Sequence, residues 1–129
     1  MKISKKTQYG LRAMVYLAKQ EGKICSLREI SKKEKIPLNF LEKIFSKLEK
    51  KNLVEAKKGK KGGYFLAKKP ERIKIGEIID VLEGEKPLVE CLRSFCPREK
   101  KCLAKNFWKR LNKIINSALN SITLSDLLK

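Results

Sequence analysis

Three cysteines lie close together in the second half of the chain: Cys91, Cys96 and Cys102 fall within twelve residues. The 129-residue chain contains no histidine, so ligation by imidazole is excluded. Thiolates are soft ligands that favour an iron–sulfur cluster or zinc. The gaps of four and five residues differ from the two-residue gaps of zinc knuckles and bacterial ferredoxins. The spacing therefore predicts a metal centre on these cysteines, with a cluster favoured over zinc.

The chain also carries a large excess of positive charge. Its 32 Lys and Arg residues stand against 14 Asp and Glu residues, which gives a formal net charge of +18. A surplus of this size repels itself in the folded protein and favours a polyanionic partner. We expect double-stranded DNA to be that partner, with an anionic membrane surface as the weaker alternative.

No stretch of the sequence approaches the roughly 18 consecutive apolar residues that a membrane-spanning helix needs. The apolar run near the start is broken by Arg12 and is not followed by a small-residue cleavage site. We therefore expect a cytoplasmic protein without a membrane segment, whose thiols are kept reduced.

Helical periodicity and capping signals predict three helices in the first part of the chain, over residues 4–22, 27–35 and 37–52. Ser4 is expected to cap the first helix. Ser26 and Glu29 form a capping-box pattern at the start of the second, in which the Ser26 side chain accepts from the backbone of Glu29 and the Glu29 side chain reaches back. The third helix follows the break at Pro37.

The apolar period changes after residue 52. Residues 53–56 and 64–67 are predicted to be the strands of a β-hairpin, joined by a turn rich in lysine and glycine. A short helix is expected over residues 75–82 and should end at Gly84. The cysteine segment follows it.

The last long element is an amphipathic helix of about five turns. Its apolar stripe consists of Leu103, Phe107, Leu111, Ile114, Ile115, Ala118 and Ile122. A stripe of this length needs a partner, and the same helix of a second chain is the simplest choice. The alternative is that the helix packs on its own domain. Thr123 and Asp126 give a final capping signal for a short tail helix.

This order of elements predicts a mainly α fold with a small β-hairpin: a winged helix-turn-helix followed by a long C-terminal dimerisation helix. We expect a DNA-binding domain at 1–84, a cysteine cluster-binding loop at 85–102, and the dimerisation helix with its tail at 103–129.

In a winged helix-turn-helix the third helix reads the major groove and the hairpin contacts backbone or minor groove. Asn39 can pair with adenine and Glu42 can accept from cytosine N4, although Glu42 could instead serve Asn39 as a helix-cap partner. The candidate phosphate-contacting lysines are Lys43 and Lys47 on the helix and Lys58, Lys60 and Lys61 at the hairpin tip.

Nearly the whole chain resembles the IscR/NsrR family of bacterial winged-helix transcription regulators. The matching segments are residues 1–4, 9–13, 27–31, 37–45, 53–54, 62–66, 75–79 and 122–127, with Leu48, Gly59, Trp108 and the three cysteines. The set of Gly-Gly-Tyr wing, cysteine trio and Ile-Thr-Leu tail is specific to that family.

The resemblance implies a homodimer that crosses its C-terminal helices and holds a [2Fe-2S] or [4Fe-4S] cluster on the cysteines. It implies a DNA-binding regulator, a repressor in our interpretation, whose operator affinity follows the cluster as it responds to nitric oxide, redox or iron–sulfur status. By position, Glu42 matches the family's reading-helix glutamate, and Lys58 stands where an arginine enters the minor groove. Tyr64 of the wing joins the expected DNA-binding set.

Two departures concern the metal ligands. The first cysteine gap is four residues where the family usually has five, and Lys105 stands where some members carry a ligating histidine. Other members use an acidic residue of the partner's first helix, where this chain has Gln8, which makes Gln8 the candidate fourth ligand. Glu85, Glu90, Glu99, an exogenous thiol and water remain alternatives.

The sequence contains no nucleophile–base pair and no phosphate-binding loop, so we do not expect an enzyme. Three alternatives to a cluster-sensing regulator stay open. They are a metal-free winged-helix regulator, a zinc-stapled one, and an iron–sulfur carrier that uses its basic surface to meet an acidic partner.

Overall fold

The computed structural model of the chain describes residues 2–84, 88–89, 92 and 102–129. Five α-helices and one two-stranded antiparallel hairpin lie within them. The elements are α1 (Lys5–Lys19), α2 (Leu27–Glu34), α3 (Leu38–Lys50), β1 (Val54–Lys57), β2 (Gly63–Leu66), a 3₁₀ turn at Pro70–Arg72, α4 (Ile75–Glu83), α5 (Leu103–Ser121) and a 3₁₀ helix at Leu124–Leu128. Cys91 and Cys96 lie outside the described residues. The winged-helix prediction is confirmed.

Ser4 and Ser26 cap the N-termini of the first two helices, as the sequence predicts. The Ser4 hydroxyl accepts from the Thr7 N–H at 3.2 Å, and the Ser26 hydroxyl accepts from the Glu29 N–H at 3.1 Å. The second half of the predicted capping box was wrong. The Glu29 carboxylate accepts a hydrogen bond from the Tyr16 hydroxyl of α1 instead of reaching back to Ser26, since a phenol of the packed neighbouring helix is within reach.

Helix α3, the predicted reading helix, begins without a side-chain cap. Its N-cap residue is Pro37, which fixes a non-helical entry into the helix. Asn39 therefore lies within the first turn, and the alternative in which Glu42 serves a capping Asn39 is not found. The turn before α3 is made by Lys35, which has a left-handed backbone at φ 55°.

The hairpin pairs Val54 with Leu66 and Lys57 with Gly63, which leaves residues 58–62 as its turn. Each strand is displaced by one residue from the predicted range. The Leu53 N–H donates to the Leu48 carbonyl at 3.0 Å and so closes the end of α3, although the Leu53 carbonyl still accepts from the Ala67 N–H at 3.1 Å. Next to the turn, Lys57 and Gly63 add a pair to the ladder.

The core lies where α1, α3 and α4 pack together under the hairpin. Its largest fully buried side chains are Met14, Leu17, Ile30, Ile36, Leu41, Ile44, Phe45, Leu48, Leu53, Ile73, Ile78 and Leu82. The apolar faces of the three helices recur at three-to-four spacing, so that one stripe from each faces inward.

The tail of the chain returns to this core. Ile75 N–H donates to the Ile122 carbonyl at 2.8 Å, and Leu124 N–H donates to the Ile73 carbonyl at 2.8 Å. Leu124 is completely buried, and the predicted capping box on Thr123 forms with Asp126. No helix in the described part of the chain is both long enough and apolar enough to cross a membrane.

Candidate nucleic-acid interface

The reading helix has one buried and one solvent-exposed face. Leu41, Ile44, Phe45 and Leu48 are its buried residues. The predicted contact residues Asn39, Glu42, Lys43 and Lys47 all lie on the exposed face. A helix held by its apolar side with polar side chains outward can present those side chains to base edges in a major groove.

The turn of the hairpin is lysine-rich and exposed. Lys58, Lys60 and Lys61 are exposed there, together with Lys57 at the end of β1. The turn is tight, since the Gly62 N–H donates to the Gly59 carbonyl at 3.0 Å and Gly59 has φ 113°. Four cations on a short exposed turn favour contact with phosphates.

The charge is concentrated around these two elements. Residues 32–61 contain eleven lysines and four glutamates, a net charge of +7 in under a quarter of the chain. The structure adds cationic candidates to the predicted set: Lys32 and Lys33 in the last turn of α2 and Lys35 in the connecting turn are all exposed. Their signal in the sequence was the run of lysines that ends the second predicted helix.

Tyr64 occupies a different position from the lysines of the wing. It is half-buried in β2, opposite Ala56 and one pair from the turn, and its ring lies 4.9 Å from that of Phe45 in α3. Burial, and then the charge of Glu49, raise the pKa of its hydroxyl. Tyr64 therefore packs against Phe45 on the buried face of α3.

Helix α1 supports both helices of the helix-turn-helix from behind. The Tyr9 ring meets the Phe40 ring edge-on at 5.3 Å, with Lys5 and Arg12 both within 6 Å of the Tyr9 ring centroid. The Arg12 guanidinium donates to the Glu34 carbonyl at the end of α2 and pairs with the Glu34 carboxylate at 3.6 Å.

Of the predicted metal ligands, the described residues include Cys102 and Gln8. Cys102 is half-buried at the N-cap position of α5. Gln8 is exposed on α1, and its side-chain amide donates to the Ile3 carbonyl at 2.9 Å. Lys105, one turn into α5, is buried. Cys91 and Cys96 lie outside the described residues, and among those described no three potential ligands form a group.

The fourth cysteine has a different environment. Cys25 is 1 % exposed. Burial, and then the charge of Glu29, raise the pKa of its thiol to about 11, so the thiol stays protonated and is a poor metal ligand at neutral pH. Cys25 belongs to the buried core.

Comparisons with known proteins agree with this geometry. Residues 3–129 match the sequence profile of the Rrf2 family, which is described as iron-dependent transcriptional regulators. The transcriptional regulator IscR of Aliivibrio salmonicida is 36% identical over 131 residues, covering 99% of this chain and 77% of that protein. IscR of Yersinia pseudotuberculosis is 35% identical over 130 residues, covering 98% of this chain and 79% of that protein.

Solved structures give the same result. IscR of T. potens superposes with a TM-score of 0.79 at 37% identity, covering 99% of this chain and 86% of that one. CymR, the global cysteine regulator of B. subtilis, superposes with a TM-score of 0.79 at 37% identity, covering 98% and 95%. These relatives are DNA-binding transcription regulators and not enzymes. This chain belongs to the Rrf2 family of winged-helix transcription regulators.

Proposed function

We propose that the chain acts as a homodimeric repressor whose operator binding is modulated by an iron–sulfur cluster on Cys91, Cys96 and Cys102. The signal would be nitric oxide, redox change or iron–sulfur status. The observation that carries the DNA-binding part is the exposed polar face of α3 beside a lysine-rich wing.

DNA recognition would divide between two elements. Asn39 and Glu42 would read base edges from the first turns of α3. Lys43 and Lys47, with the lysines of residues 57–61, would contact phosphates and set the register of the protein on the duplex. We assign DNA binding to residues 1–84, cluster binding to residues 85–102 and dimerisation to residues 103–129.

Dimerisation would use the apolar stripe of α5. Leu103 is 84% exposed, Phe107 55% and Ile114 56% in the single chain. Isolated exposed apolar residues are common, but a continuous row along one helix is the mark of an interface. A second copy of α5 would cover this row and would place two reading helices on one duplex, as two half-sites require.

The donor set in the sequence fits an iron–sulfur cluster. Three thiols without histidine are soft ligands. Cys102 stands at the N-cap position of α5, where the helix dipole favours negative charge such as that of a bound cluster. A bound cluster would supply a centre that oxidants and nitric oxide destroy. Gln8, exposed near the start of α1, is the proposed fourth ligand from a partner subunit.

The test is a comparison of operator binding by loaded and stripped protein. An operator is first obtained by selecting duplexes from a random pool with protein purified under anaerobic conditions. Iron and sulfide are measured on the same sample, and the duplex is titrated before and after removal of the iron. Different affinities support the sensing proposal. Equal affinities remove it and leave the DNA-binding role intact, whereas failure to select any duplex contradicts the DNA-binding role.

A second candidate is a regulator that works without metal. It is favoured by the likeness to CymR, a regulator of cysteine in B. subtilis, and by Lys105 at the position where some relatives ligate by histidine. Visible absorption decides between the candidates. An iron–sulfur protein is coloured, while a zinc-bound or metal-free protein is colourless.

A further inference from the structure

The wing is attached to the start of α2 through Cys25. The Cys25 N–H donates to the Tyr64 carbonyl at 2.9 Å, and the Cys25 carbonyl accepts from the Tyr64 N–H at 2.8 Å. Residue 25 thus forms an isolated antiparallel β-bridge with Tyr64 of β2. The approach is so close that a Cβ on Gly63 would overlap the Cys25 carbonyl, which explains a glycine at that position.

The start of α2 is also joined to α1 by a part-buried hydrogen bond. The Tyr16 hydroxyl donates to Glu29 Oε2 at 2.6 Å, in a part-buried position. The Glu29 carboxylate also neighbours the Cys25 thiol, whose pKa it helps to raise. We call Tyr16, Cys25, Glu29 and Tyr64 the wing corner.

The wing corner also contacts the reading helix. The Tyr64 ring packs on Phe45 of α3, and Phe45 is completely buried. Cys25 and Tyr64 thus link the hairpin to the start of α2 and to α3. On the other side of the corner, Tyr16 holds Glu29 and the start of α2 to α1.

From this arrangement we propose that Tyr16 is a positioning residue for DNA recognition. Its hydroxyl fixes Glu29 and with it the wing corner, so that the wing lysines and the exposed face of α3 meet one duplex at the same time. A displaced wing would still bind phosphates and would keep non-specific affinity. Specific binding needs both elements in register, so it would weaken. The proposal rests on the assignment of α3 and the wing as the DNA-contacting elements.

The test measures the ratio of affinities for two duplexes. One is a duplex selected from a random pool by the wild-type protein, and the other is a scrambled duplex of the same composition. Tyr16→Phe keeps the ring and removes only the hydroxyl. We expect the ratio to fall about tenfold, as for the loss of one hydrogen bond to a charged group, while affinity for the scrambled duplex stays unchanged.

Variants of Glu29 separate positioning from general stability. Glu29→Gln keeps an oxygen that can accept from Tyr16 and should retain the wild-type ratio. Glu29→Ala should reproduce the Tyr16→Phe result, and combining the two substitutions should lower the ratio no further. Thermal melting identifies any variant that fails to fold.

Two results would overturn the proposal: an unchanged ratio in both Tyr16→Phe and Glu29→Ala, or an equal loss of affinity for both duplexes. If the wild-type protein selects no duplex at all, the assignment of the DNA-binding surface fails instead.

Discussion

The Leu82 side chain occupies the space that a Cβ on Gly10 would take, and Ile44 of the reading helix lies beside the same point. Helices α1, α3 and α4 thus meet at a single glycine. Leu82 is two residues before Gly84, so the helix that precedes the cysteine segment in the sequence is packed against α1 and against the proposed reading helix at this point.

Gly10→Ala should destabilise the protein. Alanine gains about 1 kcal/mol in helix propensity, but overpacking a tight core contact costs typically ~1–3 kcal/mol. We expect a net loss of stability in urea denaturation. The control is the same substitution in a Leu82→Ala background, where the added methyl group has room and should be neutral or stabilising. Equal costs in the two backgrounds would show that Gly10 and Leu82 do not interact.

Replacing Lys58, Lys60 and Lys61 by alanine should flatten the salt dependence of DNA binding. Removing one lysine–phosphate pair lowers the slope of log affinity against log salt by ~0.9, so the triple variant should lower it by about 3 per wing. The slope is measured by fluorescence anisotropy over a series of salt concentrations.

The matched control replaces Lys19, Lys23 and Lys69 by alanine, which changes the net charge by the same amount. These three lysines are exposed and lie outside α3 and the turn of the hairpin. It should keep the wild-type slope. If the slope falls equally in both triple variants, net charge and not the position of the wing lysines explains the effect.

Phe107→Glu combined with Ile114→Glu should give a monomer, because two buried charges without partners would stand in an apolar helix–helix contact. Sedimentation velocity measures the mass. Asn116→Glu adds a charge to the polar side of the same helix and should leave the dimer intact. A dimer that survives the double substitution would locate the interface elsewhere.

Cys25 should make stability decrease in alkaline solution. Its thiol pKa is about 11 in the folded chain against an ordinary value of 9.0, so the native state favours the protonated form. This contribution is complete below pH 9 and is lost as the pH rises from 9 to 11. Its size is on the order of 1–3 kcal/mol.

Cys25→Ala removes this titration, and urea midpoints measured from about pH 8 to 11 should decline less steeply in the variant than in the wild type. Lysine deprotonation affects both proteins equally and so cancels in the comparison. Parallel declines would assign the pH dependence to other groups.

Cys102→Ser should abolish most iron binding, whereas Cys25→Ala should not. Cys102 stands at the start of a helix and Cys25 is a buried neutral thiol. Iron and sulfide per protein chain, measured after anaerobic purification, give the comparison. Full iron content in Cys102→Ser would remove that residue from the proposed ligand set.

Local sequence signals were enough to predict most of the fold. Ser4, Pro37 and Gly84 mark helix boundaries because capping and backbone preferences act over a few residues. The exposed positions of Asn39, Glu42 and Lys43 also follow from helical periodicity, since the apolar positions must face the core.

Contacts between distant elements could not be predicted in this way. The local sequence predicts that the Glu29 carboxylate accepts from the backbone of Ser26. It accepts from the Tyr16 hydroxyl of α1 instead, a partner that only the packing of the two helices provides. The bridge from Cys25 to Tyr64 has no signal in either segment alone. The half-buried position of Tyr64 follows from that bridge.

The return of Leu124 to the core has a mechanical consequence. Helix α4 ends at Gly84, and the backbone of residues 122–124 bonds to Ile73 and Ile75 at the other end of the same helix. The C-terminal end of α5 is therefore anchored beside the start of α4. A shift at this end of α5 would therefore be passed directly to the start of α4 through these two backbone hydrogen bonds.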